Sequence, residues 1–269
     1  MNQKSVVSIL VTFYLTFFAY VMPAASSENL VIVGTGSGTA ILKALSKAFT
    51  DKHPGKTVEI PPSIGSGGGI KAVGNDESIA GRVARELNKN EERYNLKYVL
   101  IADTPIVFYV NDSVSMTNIT PEQACSIFNG SIRNWEEIGG GNGKIRVIKR
   151  EEGDSSLLIL NDSLPGFKDI TLTLRSKTTF TDDETLKECA YYENSITFGA
   201  FCDVKFYKGI HELTLSGVHP EDAKYPCKGP LALVYKEKKF NGILKEFTEF
   251  IFSVDGKNII KEAGGIPVE

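Results

Sequence analysis

Three short stretches of the sequence combine glycines and hydroxyl side chains with the start of a helical pattern. They are residues 34–39 (GTGSGT), 65–70 (GSGGGI) and 149–156 (KREEGDSS). Glycine lets the backbone approach a ligand and direct successive N–H groups at it, and a helix that begins there adds the positive end of its dipole. These residue types favour the binding of a small anion. The alternative for each stretch is a purely structural turn or helix cap.

Arginines stand beside these stretches. Arg82 and Arg85 lie at the end of a short predicted strand, residues 78–85, and Arg150 follows the alternating strand pattern of residues 144–148. In open α/β sheets, ligands bind beyond the carboxyl ends of the strands. An arginine there can donate paired, charge-assisted hydrogen bonds to an oxyanion. All three are therefore candidate anion partners, and the alternative for the first two is a solvated surface pair.

The elements that must position these groups alternate between strand and helix, which predicts parallel sheets. The apolar run 98–111 contains Pro105 and predicts a strand, interrupted by the proline, that crosses between two lobes. The other predicted strands are residues 30–33, 57–60, 78–85, 144–148, 195–201 and 229–235. The predicted helices are residues 40–51, 69–73, 88–94, 121–128, 183–192, 242–251 and 255–263, with one more starting at residue 157.

The N-terminus has the pattern of a secretory signal peptide. Lys4 is followed by an apolar run at residues 6–22 and by small residues at 23–27. Cleavage is predicted near Ser26, so that residues 1–26 form the signal peptide and the rest is a periplasmic chain. An uncleaved membrane anchor is the alternative, because the apolar run approaches the length of a membrane span.

Composition argues against several classes of function. The net charge of −3 disfavours a nucleic-acid partner, which would require a clustered basic surface. The three histidines and four cysteines have no metal-ligand spacing, so no metal, cofactor or nucleophile–histidine pair is predicted. The four cysteines permit disulfides in three connectivities. An enzyme that used Ser66 or Ser156 would need a general base or a metal beside the serine, and the sequence predicts none.

The order of the motifs is specific enough to indicate a family. The whole mature chain resembles the phosphate-binding family of periplasmic solute-binding proteins that serve ABC importers. The stretches that carry the resemblance are, in order, GTGSGT, IGSGGGI, GRVAREL, TPIVFYVN, IFNGSIRNWEEIGGG, REEGDSS, ITFGAF and the tail from SGVHPEDAKYP to FIFSVDGKNIIKEAGGIPVE.

The resemblance implies an α/β, two-lobed type II periplasmic binding protein fold. Each lobe would be a mixed, mainly parallel sheet flanked by helices, with the ligand cleft between the lobes. Residues 27–110 would form the first part of lobe 1, residues 111–200 lobe 2, and residues 201–269 the return to lobe 1. The implied function is the capture of inorganic phosphate, or a similar small oxyanion, by a monomer that delivers it to an ABC permease. A sensor that reports the anion to a membrane receptor is the alternative.

The residues implied to bind the ligand come from the three stretches, with the first strand-end arginine added. They are Ser37, Gly38, Thr39, Ser66, Gly67, Arg82, Arg150, Asp154, Ser155 and Ser156.

Two positions depart from the family pattern. The family has an aspartate after the third strand that accepts the phosphate proton, whereas this chain has Arg82-Val83-Ala84-Arg85 there, and the family has a serine where this chain has Asp154. Either Asp154 replaces the missing proton acceptor, or the ligand differs. The alternative is that Asp154 only caps the helix that follows it and points away from the cleft. A small oxyanion is therefore the firmer expectation, and phosphate the more specific one.

Overall fold

The computed structural model describes residues 27–269. The predicted signal peptide, residues 1–26, lies outside this range. Among the described residues, no helix combines the length and the apolar character that crossing a membrane requires.

The helices of this part of the chain are α1 (Thr39–Lys52), α2 (Gly65–Gly74), α3 (Pro121–Phe128), α4 (Ser155–Ser163), α5 (Asp182–Tyr191), α6 (Phe201–Val204), α7 (Gly242–Phe252) and α8 (Val254–Glu262). The strands are β1 (Glu28–Gly34), β2 (Lys56–Glu59), β3 (Ala80–Val83), β4 (Lys97–Asn111), β5 (Asn118–Ile119), β6 (Arg146–Arg150), β7 (Ser176–Thr179), β8 (Ser195–Ala200), β9 (Ile210–Glu212), β10 (Thr214–Leu215), β11 (Lys228–Tyr235) and β12 (Ile266–Pro267).

A ten-stranded mixed sheet runs through both lobes. Its main path is β2-β1-β3-β11-β4-β8-β6-β7, and β9 and β12 pair with β4 off this path. β1 is parallel to β2 and β3, and β6 is parallel to β7 and β8, whereas β11 and β4 run antiparallel to their neighbours in the path. The predicted α/β architecture of two lobes, each with a mixed sheet flanked by helices, is confirmed. The parallel strands of each lobe direct their carboxyl ends, and the helix starts that follow, to one edge.

β4 belongs to both lobes. Its residues 97–105 pair with β11, and its residues 106–110 pair with β8. The predicted crossing strand is present, and it is continuous through Pro105. Pro105 stands opposite Lys228 at the last pair of the β4–β11 register, where a missing N–H removes least from the ladder. One unbroken strand therefore connects the lobes.

Two predicted helices differ from the structure. α2 begins at Gly65, so the glycines form its first turns instead of a loop before a helix at residue 69. Glycine is needed there for close packing, because a Cβ on Gly69 would lie 2.8 Å from the Cα of Gly34. The charged helix predicted at residues 88–94 is only a three-residue turn, Glu92–Tyr94. The Asn88 side chain accepts hydrogen bonds from the backbone of residues 90 and 91, a local turn that competes with a helix.

The last part of the chain is divided between the lobes. β9 pairs with residues 109–111 of β4, and β10 pairs with β5. Residues 210–215 therefore lie with the strands of lobe 2, which differs from a return to lobe 1 at residue 201. Ile210, Leu213 and Leu215 are buried there, so these apolar side chains account for the attachment. From β11 onward the chain pairs with β3 and with the first part of β4.

The four cysteines are free thiols, so the disulfides that the sequence permits are not formed. Burial raises the pKa of Cys189 and Cys227 to about 12. These side chains therefore pack as small, neutral, apolar groups.

Candidate anion-binding site

The three glycine- and hydroxyl-containing stretches meet where the lobes touch. The hydroxyl oxygen of Ser66, in α2, lies 3.1 Å from that of Ser155, in α4. Gly36, after β1, packs so closely on α5 that a Cβ there would lie 2.2 Å from Oδ2 of Asp182. Helix starts of both lobes therefore face one another across a closed cleft.

Arg150, the last residue of β6, is held between two carboxylates. Its Nη1 donates a 3.0 Å hydrogen bond to Oδ1 of Asp182, and its Nη2 lies 2.8 Å from Oδ2 of Asp154. The arginine side chain is only 4% exposed. Burial alone would lower the pKa of the guanidinium, but Asp182 and Asp154 together raise it. The cleft therefore contains a permanent buried cation.

Asp154 uses both of its carboxylate oxygens. Oδ1 accepts a 3.0 Å hydrogen bond from the backbone N–H of Leu157 and so caps α4, while Oδ2 pairs with Arg150. Burial raises the pKa of Asp154 to about 6 against the opposing effect of Arg150. The capping contact and a contact with the arginine of the cleft are thus made by the same side chain.

Asp203 is a residue of this site that sequence reasoning missed. It lies in α6, and its two oxygens accept 2.8 Å hydrogen bonds from the backbone N–H groups of Gly38 and Ala40. Burial, followed by the neighbouring charge of Asp182, raises the pKa of Asp203 to about 7. A carboxylate of the chain itself therefore occupies the N-terminus of α1, where the sequence places an external anion.

Arg82 has a structural environment that differs from the predicted one. It is fully buried, and its Nε and Nη2 donate 2.6 Å hydrogen bonds to the carbonyls of Thr35 and Pro61, while Nη1 donates to the carbonyl of Ile32. Burial lowers the pKa of the guanidinium to about 10. With three donors on backbone carbonyls, Arg82 braces β1 against the segment before α2, an environment that differs from the predicted direct contact with the ligand. Arg85 forms a two-bond ion pair with Glu91.

Thr39 also differs from its predicted role. Its hydroxyl donates a 2.6 Å hydrogen bond to the carbonyl of Gly36, and its backbone N–H donates to the same oxygen. Both groups are therefore used within the turn before α1. The structure places Gly67 in the first turn of α2, near Arg85.

Three buried polar groups of the cleft have no hydrogen-bond partner among residues 27–269. They are the hydroxyls of Ser37 and Ser156 and the Nε of Arg150. An unpaired buried donor costs about 1–3 kcal/mol, so such groups mark a place where a ligand can supply acceptors. Ser37 belongs to the stretch before α1, and Arg150 and Ser156 belong to the stretch at residues 149–156. Across the described chain, histidine, cysteine and carboxylate side chains form no cluster of three that could hold a metal ion.

Comparisons with known proteins place the chain in a family. Residues 22–255 match the model of the PBP superfamily domain. The phosphate-binding protein PstS of Borreliella burgdorferi is 24% identical over 258 residues, which cover 91% of this chain and 92% of that protein. The phosphate-binding protein PstS of Bacillus subtilis is 25% identical over 252 residues, covering 90% and 82% of the two chains.

Solved structures agree with this match. A substrate-binding protein from Clostridium perfringens, crystallised with bound phosphate, is 28% identical with a TM-score of 0.79, over 90% of this chain and 100% of that one. An ABC-type phosphate transport receptor from Vibrio cholerae, at 22% identity and a TM-score of 0.64 over 89% of this chain and 100% of that one, shows the same fold. The chain belongs to the PBP superfamily.

Proposed function

We propose that this protein is a periplasmic solute-binding protein that captures inorganic phosphate, or a similar small oxyanion, and delivers it to an ABC-type permease. The observation that carries the proposal is the set of unpartnered buried donors in the cleft, Ser37 Oγ, Ser156 Oγ and Arg150 Nε. A tetrahedral oxyanion offers several acceptors to such a set. The bound phosphate of the Clostridium perfringens relative supports the same ligand class.

The proposed ligand set omits Arg82 and Thr39, whose side-chain donors have partners within the chain. It consists of Ser37, Gly38, Ser66, Gly67, Arg150, Ser155 and Ser156, with Asp154 as a proton acceptor. Ligand oxygens would replace the contacts that Arg150 now makes with Asp182 and that Gly38 makes with Asp203. Arg82 holds the backbone behind this set.

The charges of the cleft favour a ligand that carries a proton. Three carboxyl groups, those of Asp154, Asp182 and Asp203, lie with the two guanidiniums of Arg82 and Arg150 around the cleft. An oxyanion without a proton meets these carboxylates as a repulsive charge. Phosphate at neutral pH carries a proton that a carboxylate can accept, whereas sulfate does not. Phosphate is therefore the preferred ligand within this proposal.

The lobes are proposed to move as two bodies about the two chain segments that join them, β4 and the segment before β11. Lobe 1 comprises residues 27–105 with the chain from β11 to residue 269, and lobe 2 lies between them, which modifies the predicted boundaries at residues 110 and 200. β4 changes its pairing partner from β11 to β8 between residues 105 and 106, and the chain returns to lobe 1 in the segment before β11. The signal peptide, the periplasmic location and the monomeric state remain parts of this proposal.

The proposed function is binding without catalysis. The relatives are named as binding proteins, and the three histidines of the chain have partners elsewhere. His53 contacts the carbonyl of Phe49, His211 contacts Asp112, and His219 lies beside Glu212 and Glu221. Neither Ser66 nor Ser156 thus has a histidine base. Turnover of a phosphomonoester such as p-nitrophenyl phosphate by the purified protein would contradict this part of the proposal.

The deciding experiment is calorimetry of the mature protein after unfolding and refolding to remove bound ligand. Phosphate is expected to bind saturably at one site, while sulfate and acetate give no saturable heat. If phosphate gives none either, the proposed ligand is wrong.

A further inference from the structure

Lobe 2 contains a cavity of about 610 Å³ that the proposed function does not use. It lies at the amino ends of β6 and β7, under the segment that follows α3. Arg146 begins β6 beside the cavity, whereas Arg150 ends the same strand in the cleft. At about 3.3 Å per residue, the two arginines are separated by about 13 Å along the strand. The cavity is therefore distinct from the cleft.

Every charged residue that lines this cavity is basic. The five cations are Arg133, Lys144, Arg146, Arg175 and Lys177. Lys177 pairs with Glu188 at 2.5 Å, outside the lining. The other four make no ion pair within 4.0 Å with any carboxylate of residues 27–269. In a chain with a net charge of −3, this is a local concentration of unpaired positive charge.

The floor of the cavity is apolar, and one aromatic ring stands in its wall. Ile132 and Tyr192 are half-buried and expose apolar surface in the lining, which also includes the buried side chains of Ile127, Val147 and Ile148. The ring of Tyr192 lies 5.5 Å from the guanidinium of Arg146 and 5.9 Å from the ammonium of Lys177. A cationic rim around an apolar floor fits a ligand that has anionic groups joined to an apolar or aromatic body. The volume is that of a small-molecule site and is far larger than one phosphate ion requires.

We propose that this cavity binds an organic polyphosphate anion, such as a nucleoside triphosphate, with its phosphate chain on the basic rim and its aromatic part on the apolar floor. Arginine and lysine supply charge-assisted hydrogen bonds to phosphate oxygens. The floor discriminates between such a ligand and an inorganic phosphate chain, because only the organic ligand gains by covering apolar surface.

The test is calorimetry of the mature protein with ATP, tripolyphosphate and adenosine, in the absence of divalent metal. Each titration is made with and without saturating inorganic phosphate. ATP is expected to bind one site per chain in both conditions, tripolyphosphate more weakly, and adenosine alone not measurably. Loss of ATP binding when phosphate is added would assign ATP to the cleft and overturn the proposal. Equal affinity for ATP and tripolyphosphate would contradict the role of the floor.

The matched variants are Arg146→Gln with Arg175→Gln, and Lys89→Gln with Lys168→Gln as a control. Both pairs remove two exposed charges, but the control lysines lie outside the cavity. The first pair is expected to weaken ATP binding by about tenfold or more, since each lost guanidinium removes charge-assisted hydrogen bonds to phosphate oxygens. The control pair is expected to leave it unchanged, and both pairs to keep the phosphate affinity of the cleft. An equal loss in both pairs would show a non-specific charge effect and overturn the site.

Discussion

Gly38 and Asp203 are 165 residues apart in the sequence, yet the backbone N–H of the glycine donates a 2.8 Å hydrogen bond to the aspartate. The same carboxylate accepts from Ala40, so it satisfies two N–H groups at the start of α1. These donors point to where an anion is expected. In the closed cleft the carboxylate of Asp203 therefore occupies these donors, and an incoming ligand must share them with Asp203 or displace it.

Replacing Arg150 by methionine tests the principal cation of the cleft. The change keeps much of the side-chain volume but leaves Asp154 and Asp182 without their partner. Loss of one member of a buried charge pair costs about 2–5 kcal/mol, so phosphate affinity is expected to fall by a factor of thirty or more. Calorimetry measures this loss, with Arg93→Met as the control because Arg93 is exposed and contacts the Tyr94 hydroxyl instead. Unchanged phosphate affinity in Arg150→Met would place the ligand elsewhere.

Asp154→Asn tests the proton-acceptor role. Asparagine still caps α4, so the helix start is preserved, but the negative charge beside Arg150 is removed. The variant is expected to admit sulfate, which the wild-type protein rejects by about 10⁴-fold or more if a buried acceptor is left unpaired. Competition between sulfate and phosphate in calorimetry gives the ratio. A variant that binds phosphate as before and still excludes sulfate would leave Asp154 with only its capping and ion-pair contacts.

The stability of the closed conformation, in which Asp203 caps α1, is expected to fall as the pH rises towards neutrality. The pKa of Asp203 is raised from 3.8 to about 7 in the folded state, so the folded protein binds this proton more tightly than the unfolded chain. The stabilisation is complete below pH 3.8 and is lost as the pH approaches 7. Asp154 adds the same trend up to about pH 6. Thermal midpoints measured from about pH 5 to about pH 8 check this slope.

Asp203→Asn should remove the pH dependence of stability above about pH 6, the value near which Asp154 titrates. Exposed Asp162 provides the matched control, and Asp162→Asn is expected to keep the wild-type slope. The same slope in Asp203→Asn and in the wild-type protein would assign the titration to another group.

Arg82→Met is expected to destabilise the fold more than it weakens binding. The change leaves the carbonyls of Ile32, Thr35 and Pro61 without a buried donor. The free energy of unfolding should fall by about 3 kcal/mol or more, as judged by urea denaturation. Among the molecules that remain folded, phosphate affinity should stay within a few fold of the wild-type value. A large loss of affinity at unchanged stability would restore Arg82 to the ligand set.

Ligand should compact the molecule, because the contact between Ser66 and Ser155 joins the two lobes. Small-angle scattering of the stripped protein is expected to give a larger radius of gyration than that of the phosphate-saturated protein. Arg150→Met, at the same phosphate concentration, should stay extended. Identical dimensions with and without phosphate would argue against a hinge.

Local patterns in the sequence predict most of the strands and helices. The run Leu30 to Val33 and the helical spacing from Ile41 to Phe49 predict β1 and α1, because each is set by burial of one face. The cap of α3 at Thr120 is likewise a local signal, confirmed by its hydrogen bond from Gln123. These features depend on residues within a few positions of one another.

Contacts between distant residues were not predictable in the same way. Asp203 and Asp182 reach the cleft because whole strands bring α6 and α5 there, and no periodicity records which side chain then meets Gly38 or Gly36. The position of Arg82 at a strand end indicated the edge of the sheet, but not that its guanidinium turns back onto backbone carbonyls. In both cases the missing information is where a side chain points in the folded protein, which a local sequence pattern does not contain.

The position of β11 dictates an order of assembly. β11 lies between β3 and β4, so the hydrogen bond from Thr104 to the carbonyl of Gly229 spans 125 residues. Lobe 2 is continuous in sequence and can fold as soon as it is synthesised. Lobe 1 must wait, with the edges of β3 and β4 unpaired, until residues near the C-terminus arrive. Chains truncated before β11 should therefore aggregate through lobe 1 while lobe 2 remains folded.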